Sequence, residues 1–254
     1  MKLRAVLTDL DGTLLEPDGS LCPEAAATLR VLRGRGVTVL PVTSKTASEV
    51  CHLLARLDLP GPAGFENGAG TVDRLGAVHL NAAALPVESL RIAAAVLRRE
   101  TSVPLRTLDE LSDQDLESLV GLAGDELVRL RERRATLPLL VDEPWDEALR
   151  RAAPLETRLV RGNRFLHLQG RHDKADLVGE LLVSAAGEGV VVICGDAPND
   201  LELMRSGGLA VIVPSTTGAH PGLRESLPGA VIAPAPHGRG WAGALQQLLE
   251  ESGS

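Results

Sequence analysis

The chain has 254 residues, 26 basic against 34 acidic, for a formal net charge of -8. That length fits one large domain or two smaller ones, and the acidic balance argues against a general nucleic-acid binder. Hydrophobic residues make up 44% of the chain, too many for a disordered one, and no apolar run approaches the roughly 20 residues of a spanning helix. The first segment, LRAVLTDLDG, reads as a short apolar strand ending in acidic and glycine residues. A helix follows over about 23–35, with Pro23 near its first turn and Gly36 after its end. GVTVLPVTS, rich in β-branched residues, is the next strand. Over 46–57 the residues Val50, Leu53, Leu54 and Leu57 fall on one helical face, and a short strand near 64–66 follows. This β-α-β-α-β opening predicts a doubly wound parallel sheet, a Rossmann-like α/β core.

From about 83 to 167 the pattern changes to segments rich in Arg, Glu, Leu and Ala. Helices are expected over 86–99, 112–122, 125–133 and 145–153, with short β-like pieces at LPLLV and RLVRG. This stretch reads as an inserted α+β cap domain, with 1–82 and 168–254 forming a discontinuous core. The α/β pattern then resumes: a helix over 173–183, the strongly apolar strand VVVICGD, the strands LAVIV and AVIAP, and a last helix over 241–250.

Composition adds two clues. Of the 26 basic residues only three are lysines, Lys2, Lys45 and Lys174, and there are four Asn and no Tyr. With Arg used almost everywhere else, the surviving lysines draw interest, and so few aromatics leave little for stacking on bases. The three cysteines, Cys22, Cys51 and Cys194, are widely spaced with no CxxC, which suits a reducing cytosol and gives no structural zinc site. MKLRAVLTDLDG turns acidic within ten residues, unlike a secretory leader. The expected location is cytoplasmic, with no membrane or nucleic-acid partner.

Three strand ends carry chemistry. DLDGT puts Asp9 and Asp11 beyond the first strand, where open parallel sheets bind ligands, and Gly12 permits the chain to turn. Two carboxylates there suit a hard cation such as Mg²⁺, with one left as nucleophile or acid/base. An EF-hand loop needs Gly at its sixth position, where Leu14 stands; an ordinary acidic turn remains the alternative. GDAPND places Asp196, Asn199 and Asp200 after VVVICGD, three oxygen donors for the same cation. Capping of the next helix would explain one of them, not all three. VTSKT sets Thr43, Ser44 and Lys45 at a strand-to-helix turn, suited to phosphate, although Thr43 or Ser44 would also serve as a plain helix cap. Lys174 opens a helix, where a cation is unfavourable. Neutralising a bound anion is one explanation, and a solvated lysine is the other.

These pieces, in this order, resemble the four motifs of the haloacid dehalogenase superfamily of phosphotransferases. The insertion resembles the subclass with an α/β cap between motifs two and three. Within it, VTSKT, FENGA at 65–69 and GRGW at 238–241 look most like the mannosyl-3-phosphoglycerate phosphatases. The resemblance implies that Asp9 is the nucleophile forming an aspartyl-phosphate, that Asp11 is the general acid and then base, and that Thr43 and Lys174 hold the phosphoryl oxygens. It implies Mg²⁺ held by the Asp9 carboxylate, the Asp11 carbonyl and Asp196, with Asn199 and Asp200 in support. Lys45 stands where many relatives carry Arg, giving a point charge instead of a fork. The implied substrate is mannosyl-3-phosphoglycerate. A glucosyl-3-phosphoglycerate or general sugar-phosphate phosphatase, and a phosphomutase, are the alternatives. A receiver-type signalling domain is disfavoured by the length, since a receiver is one compact domain with no insertion.

Candidate substrate contacts are Ser44, Lys45, Glu66, Asn67, Arg134 and Arg171. Of the cap arginines 129, 131, 133 and 134, Arg134 is chosen for its place near a helix end, although a solvated face paired with Glu126 and Glu132 accounts for most of them. Glu66-Asn67-Gly68 also reads as a simple turn. The histidines at 167, 172 and 237 are given no role. A monomer or small homo-oligomer is expected.

Overall fold

The computed structural model describes residues 2–141 and 143–251. In chain order the elements are β1 (Leu3–Thr8), α1 (Pro23–Gly34), β2 (Thr38–Pro41), α2 (Ala47–Arg56), β3 (Ala63–Phe65), β4 (Gly70–Val72) and β5 (Val78–Leu80). Then come α3 (Val87–Thr101), β6 (Arg106–Thr107), α4 (Asp113–Val120), α5 (Asp125–Arg131), β7 (Thr136–Leu140), α6 (Asp146–Ala152), β8 (Arg158–Arg161) and β9 (Leu166–Gln169). The chain closes with α7 (Val178–Val183), β10 (Val190–Gly195), α8 (Leu201–Arg205), β11 (Leu209–Ile212), α9 (Pro221–Ser226), β12 (Val231–Ile232) and α10 (His237–Glu251).

The central sheet has the order β12-β11-β10-β1-β2, every pairing parallel. Its strands are apolar on both faces, as a sheet covered on both sides must be. Val6, Val39, Val192, Cys194 and Val211 pack beneath α1, α2 and α10. Their neighbours Ala5, Leu7, Leu40, Ile193 and Ile212 pack under α7, α8 and α9 on the other side. The doubly wound core expected from the sequence is present, with Trp241 of α10 fully buried on one side of the sheet. Burying each such large side chain contributes roughly 1.5–3 kcal/mol. From β1 the chain winds one way to β2 and the other way to β10, so the β1–β10 crevice is where the strand order reverses, the usual ligand position.

The insertion carries its own antiparallel sheet, order β6-β7-β9-β8, backed by α3 and α6. A smaller meander, β3-β4-β5, adjoins the core. Four strands departed from expectation: β4, β5, β6 and β9 were not foreseen. β4 and β5 hold three residues each and β6 two. In β9, LHLQ alternates Leu with His and Gln, so its apolar content is diluted by the polar face it presents. The helix expected over 173–183 is a tight turn at Lys174–Leu177 followed by α7, and the last helix starts at His237 instead of residue 241. Among the described residues, no helix is long and apolar enough to cross a membrane.

Candidate active site

β1 and β10 deliver their strand-end residues side by side. Asp9 follows β1 and is 5% exposed; its backbone N–H donates to the Cys194 carbonyl at 3.0 Å, which locks the two strand ends together. Asp196 follows β10. Asp9, Asp196 and Asp200 each offer a carboxylate oxygen within 4.8 Å of the others. Such an all-oxygen set fits a hard divalent cation and not a thiophilic one.

The three carboxylates are not equivalent. Lys174 Nζ donates at 2.7 Å to Asp9 Oδ1 and at 2.7 Å to Asp200 Oδ1. The other Asp200 oxygen accepts from the backbone N–H groups of Asp196 at 3.0 Å and Ala197 at 3.1 Å. With both oxygens engaged, Asp200 shapes the loop and seats the lysine. Asp196 accepts from Thr13 Oγ1 at 2.8 Å and from Asn163 Nδ2 at 2.7 Å. Asn199 gives its amide N–H to Asn67 Oδ1 at 3.2 Å, while its own buried Oδ1 has no partner among the described residues, as suits an acceptor beside a hydrated cation.

Charge crowding shows in the acid strengths. Burial pushes the Asp9 carboxyl well above its ordinary value; Lys174 opposes this, and the Asp200 and Asp196 charges reinforce it. Burial, and then Asp200, push Asp196 up to about 7. A cation among them would relieve both. Burial would lower the Lys174 ammonium, but Asp200 and Asp9 outweigh it and hold the group charged. The position of a lysine at a helix start thus has its explanation: it serves two buried carboxylates. Gly68 makes the approach possible, because a Cβ there would lie 2.0 Å from the Asp173 carbonyl oxygen.

Asp11 stands partly exposed at the mouth, in an ion pair with Lys45 Nζ at 2.9 Å. Burial would lower the Lys45 ammonium, but Asp11 and Glu49 raise it above its ordinary value. Thr43 is buried, its Oγ1 accepting from the Lys45 N–H at 3.3 Å. The cap of α2 is neither Thr43 nor Ser44. Thr46 fills it in a capping box with Glu49, which frees the Thr43 and Ser44 hydroxyls from that task. Gly12, at φ +83°, lets the loop turn; a Cβ there would sit 2.4 Å from Asp196 Oδ2.

The remaining candidate contacts fare differently. Glu66 and Asn67 do form a positive-φ turn, with φ of 43° and 56°. The fully buried Glu66 carboxylate is spent on the insertion: it accepts from the N–H groups of Arg134, Ala135 and Thr136 and from Thr136 Oγ1, at 2.7–2.9 Å. Asn67 gives its amide to Gln169 Oε1 at 3.2 Å. Arg134 is exposed and meets Glu66 through its backbone only. Arg133 is the arginine that reaches the core, its Nη1 donating at 2.7 Å to the Ser44 carbonyl. Arg171 is also exposed and bonds the Leu155 carbonyl at 2.8 Å. Helical periodicity could not separate residues 133 and 134, because α5 ends at Arg131. Asn163, at the tip of the β8–β9 hairpin, was missed altogether; being one of only four Asn in the chain was its one signal.

Residues 6–104 match the family model of haloacid dehalogenase-like hydrolases. A relative from Persephonella marina, a glucosyl-3-phosphoglycerate/mannosyl-3-phosphoglycerate phosphatase, is 25% identical over 263 residues, covering 97% of each chain. A haloacid dehalogenase-like hydrolase from B. subtilis superposes with a TM-score of 0.73 at 16% identity, covering 97% of this chain and 100% of that one. The subclass IIB sugar phosphatase BT4131 gives a TM-score of 0.72 at 14% identity, covering 98% and 99%. The family match over residues 6–104 agrees with the motifs at the strand ends, and over nearly its whole length the chain is similar to a phosphatase and shares the fold of haloacid dehalogenase-like hydrolases.

Proposed function

We propose that the protein is a Mg²⁺-dependent phosphatase of glycosyl-3-phosphoglycerates, with mannosyl-3-phosphoglycerate as the main substrate and the glucosyl ester as the second. The observation that carries the chemistry is the buried Asp9–Lys174–Asp200 arrangement beside Asp196. The relative from Persephonella marina, matched nearly end to end, supports the substrate class. Residues 1–82 and 168–254 would be the phosphatase core and 83–167 the cap that closes over it.

Asp9 attacks phosphorus through the oxygen that Lys174 does not hold; the ester P–O bond breaks, and Asp11 gives a proton to the leaving alkoxide. Asp11 then takes a proton from water as that water attacks the aspartyl-phosphate, releasing phosphate and restoring the Asp9 carboxylate. For the first step Asp11 exchanges its Lys45 contact for the substrate, and Lys45 is left facing the incoming anion. Thr43 Oγ1 and Lys174 Nζ balance charge on the phosphoryl oxygens, where most catalysis of phosphoryl transfer resides. Asp9, Asp196 and the Asp11 carbonyl would hold Mg²⁺, with Asn199 beside it, and the ion would offset repulsion between phosphate and carboxylate.

Asp9→Asn is expected to abolish phosphate release while leaving the thermal melt near that of the wild type; near-normal turnover would sink the mechanism. A phosphate-release panel of mannosyl- and glucosyl-3-phosphoglycerate and simple sugar phosphates, compared by kcat/KM, tests the substrate. A higher value for a simple sugar phosphate would reject it.

A further inference from the structure

The cap sheet has two unlike faces. Leu137 and Leu139 of β7 and Leu166 and Leu168 of β9 are buried against α3 and α6. The alternate positions turn toward the core. Thr136 bonds Glu66, and Gln169 bonds Asn67. His167 lies two residues from Gln169 and opposite Pro138 in the register, so it shares that core-facing side. It is 4% exposed, and its Nδ1 has no partner among the described residues. Burial, and then the charges of Arg133 and Lys174, hold the ring neutral, down at about 3.

Arg133 leads into the same sheet. Its Nη1 carries both protein bonds, to the Ser44 carbonyl at 2.7 Å and Thr136 Oγ1 at 3.1 Å. Its Nε is buried with no partner among the described residues. Most cap arginines with an assigned partner lean on a carboxylate: Arg91 on Asp109, Arg98 on Glu110, Arg131 on Asp113. Arg133 has no ion pair among the described residues and instead sits against the phosphate-side turn at Ser44. Buried polar atoms without partners are rare and carry a desolvation penalty. Two on one face, one cationic and one neutral, mark a place where a ligand completes the bonding.

We infer that Arg133 and His167 form a subsite for a carboxylate on the leaving group, next to the phosphoryl site. A guanidinium edge matches the planar carboxylate, and a neutral imidazole adds a hydrogen bond without adding charge. A neutral sugar would leave the Arg133 charge unmatched. The subsite therefore selects phosphate esters whose alcohol part carries a carboxylate, and it rests on the phosphatase reading above.

The test compares kcat/KM for 3-phosphoglycerate and glucosyl-3-phosphoglycerate with that for glycerol 3-phosphate and glucose 6-phosphate, in wild type, Arg133→Lys and His167→Gln. The expected wild-type preference is for the carboxylated esters, and each variant is expected to shrink that ratio about tenfold, mainly through KM. An unchanged ratio in both variants, or no preference in the wild type, overturns the subsite. Calorimetric titration with D-glycerate reads the subsite apart from turnover. If no ester is hydrolysed, the phosphatase reading fails alone when glycerate still binds the wild type and not the variants. Equal glycerate binding by all three proteins rejects the subsite whatever the turnover.

Discussion

Replacing Lys174 by Met tests the central electrostatic argument without reference to any substrate. The side chain keeps roughly its length and loses its charge. In the wild type, Lys174 Nζ lies 2.7 Å from an oxygen of Asp9 and 2.7 Å from one of Asp200, with all three side chains almost wholly buried. At an effective dielectric of about 20, each pair attracts by about 6 kcal/mol, set against a desolvation penalty of several kcal/mol per ion. Removing this cation strands two buried carboxylates, and Asp196 adds a third negative neighbour. A loss of roughly 3–5 kcal/mol is expected at pH 7.5 in EDTA. The loss should shrink toward pH 5. Carboxyls raised by burial bind protons more tightly in the folded protein than in the unfolded one, so their stability cost appears as pH rises through the raised value. Mg²⁺ should lift the variant more than the wild type, because it supplies the missing positive charge. Urea titrations at the two pH values, with EDTA or Mg²⁺, read all three effects. A variant as stable as the wild type at pH 7.5 in EDTA would refute the reasoning.

Other changes probe the surroundings. Glu66→Gln removes a charged acceptor of four hydrogen bonds from the insertion, and a loss of about 3 kcal/mol in a urea titration is expected; a loss under about 0.5 kcal/mol would mean that those bonds hold nothing. Gly12→Ala would place a methyl group 2.4 Å from Asp196 Oδ2 at a φ of +83°, so Mg²⁺ affinity measured by calorimetry should fall at least tenfold, and an unchanged affinity would contradict the geometry. His167 is held neutral down to about 3 against an ordinary value of 6.5. The unfolded chain takes up that proton first, so stability falls as pH drops below about 6.5. At pH 5 the shift costs about 2 kcal/mol, which His167→Gln should recover relative to pH 7 in thermal melts. An identical acid limb in the two proteins would count against a buried neutral ring.

The core was legible because its signals are local and redundant. Each strand of the central sheet is a short run of Val, Ile and Leu, and its acidic residues follow at once, so Asp9 and Asp196 could be found by position. Lys174 stood out through the scarcity of lysine. What the sequence could not supply was the pairing between distant segments. Glu66 reads equally as a turn residue and as a substrate contact until residues 134–136 are seen on its carboxylate. Choosing between Arg133 and Arg134 needs the point at which α5 stops, two residues before Arg133. Asn163 and His167 depend on the register of β8 and β9, whose alternating polar residues hid one of the strands.

The strand order of the central sheet also bears on how the chain is made. β1 lies between β2, which follows within forty residues, and β10, which begins at Val190. At about 5–20 residues per second on a ribosome, β1 waits on the order of ten seconds or more with one edge bare. Its residues Ala5, Val6 and Leu7 are wholly buried in the finished protein, and an apolar strand with an open edge is a template for aggregation. The insertion, whose contacts are mostly within itself, can fold during that wait and bring Thr136 to Glu66. The insertion would then be joined to the first half of the core, through Glu66, before the second half exists.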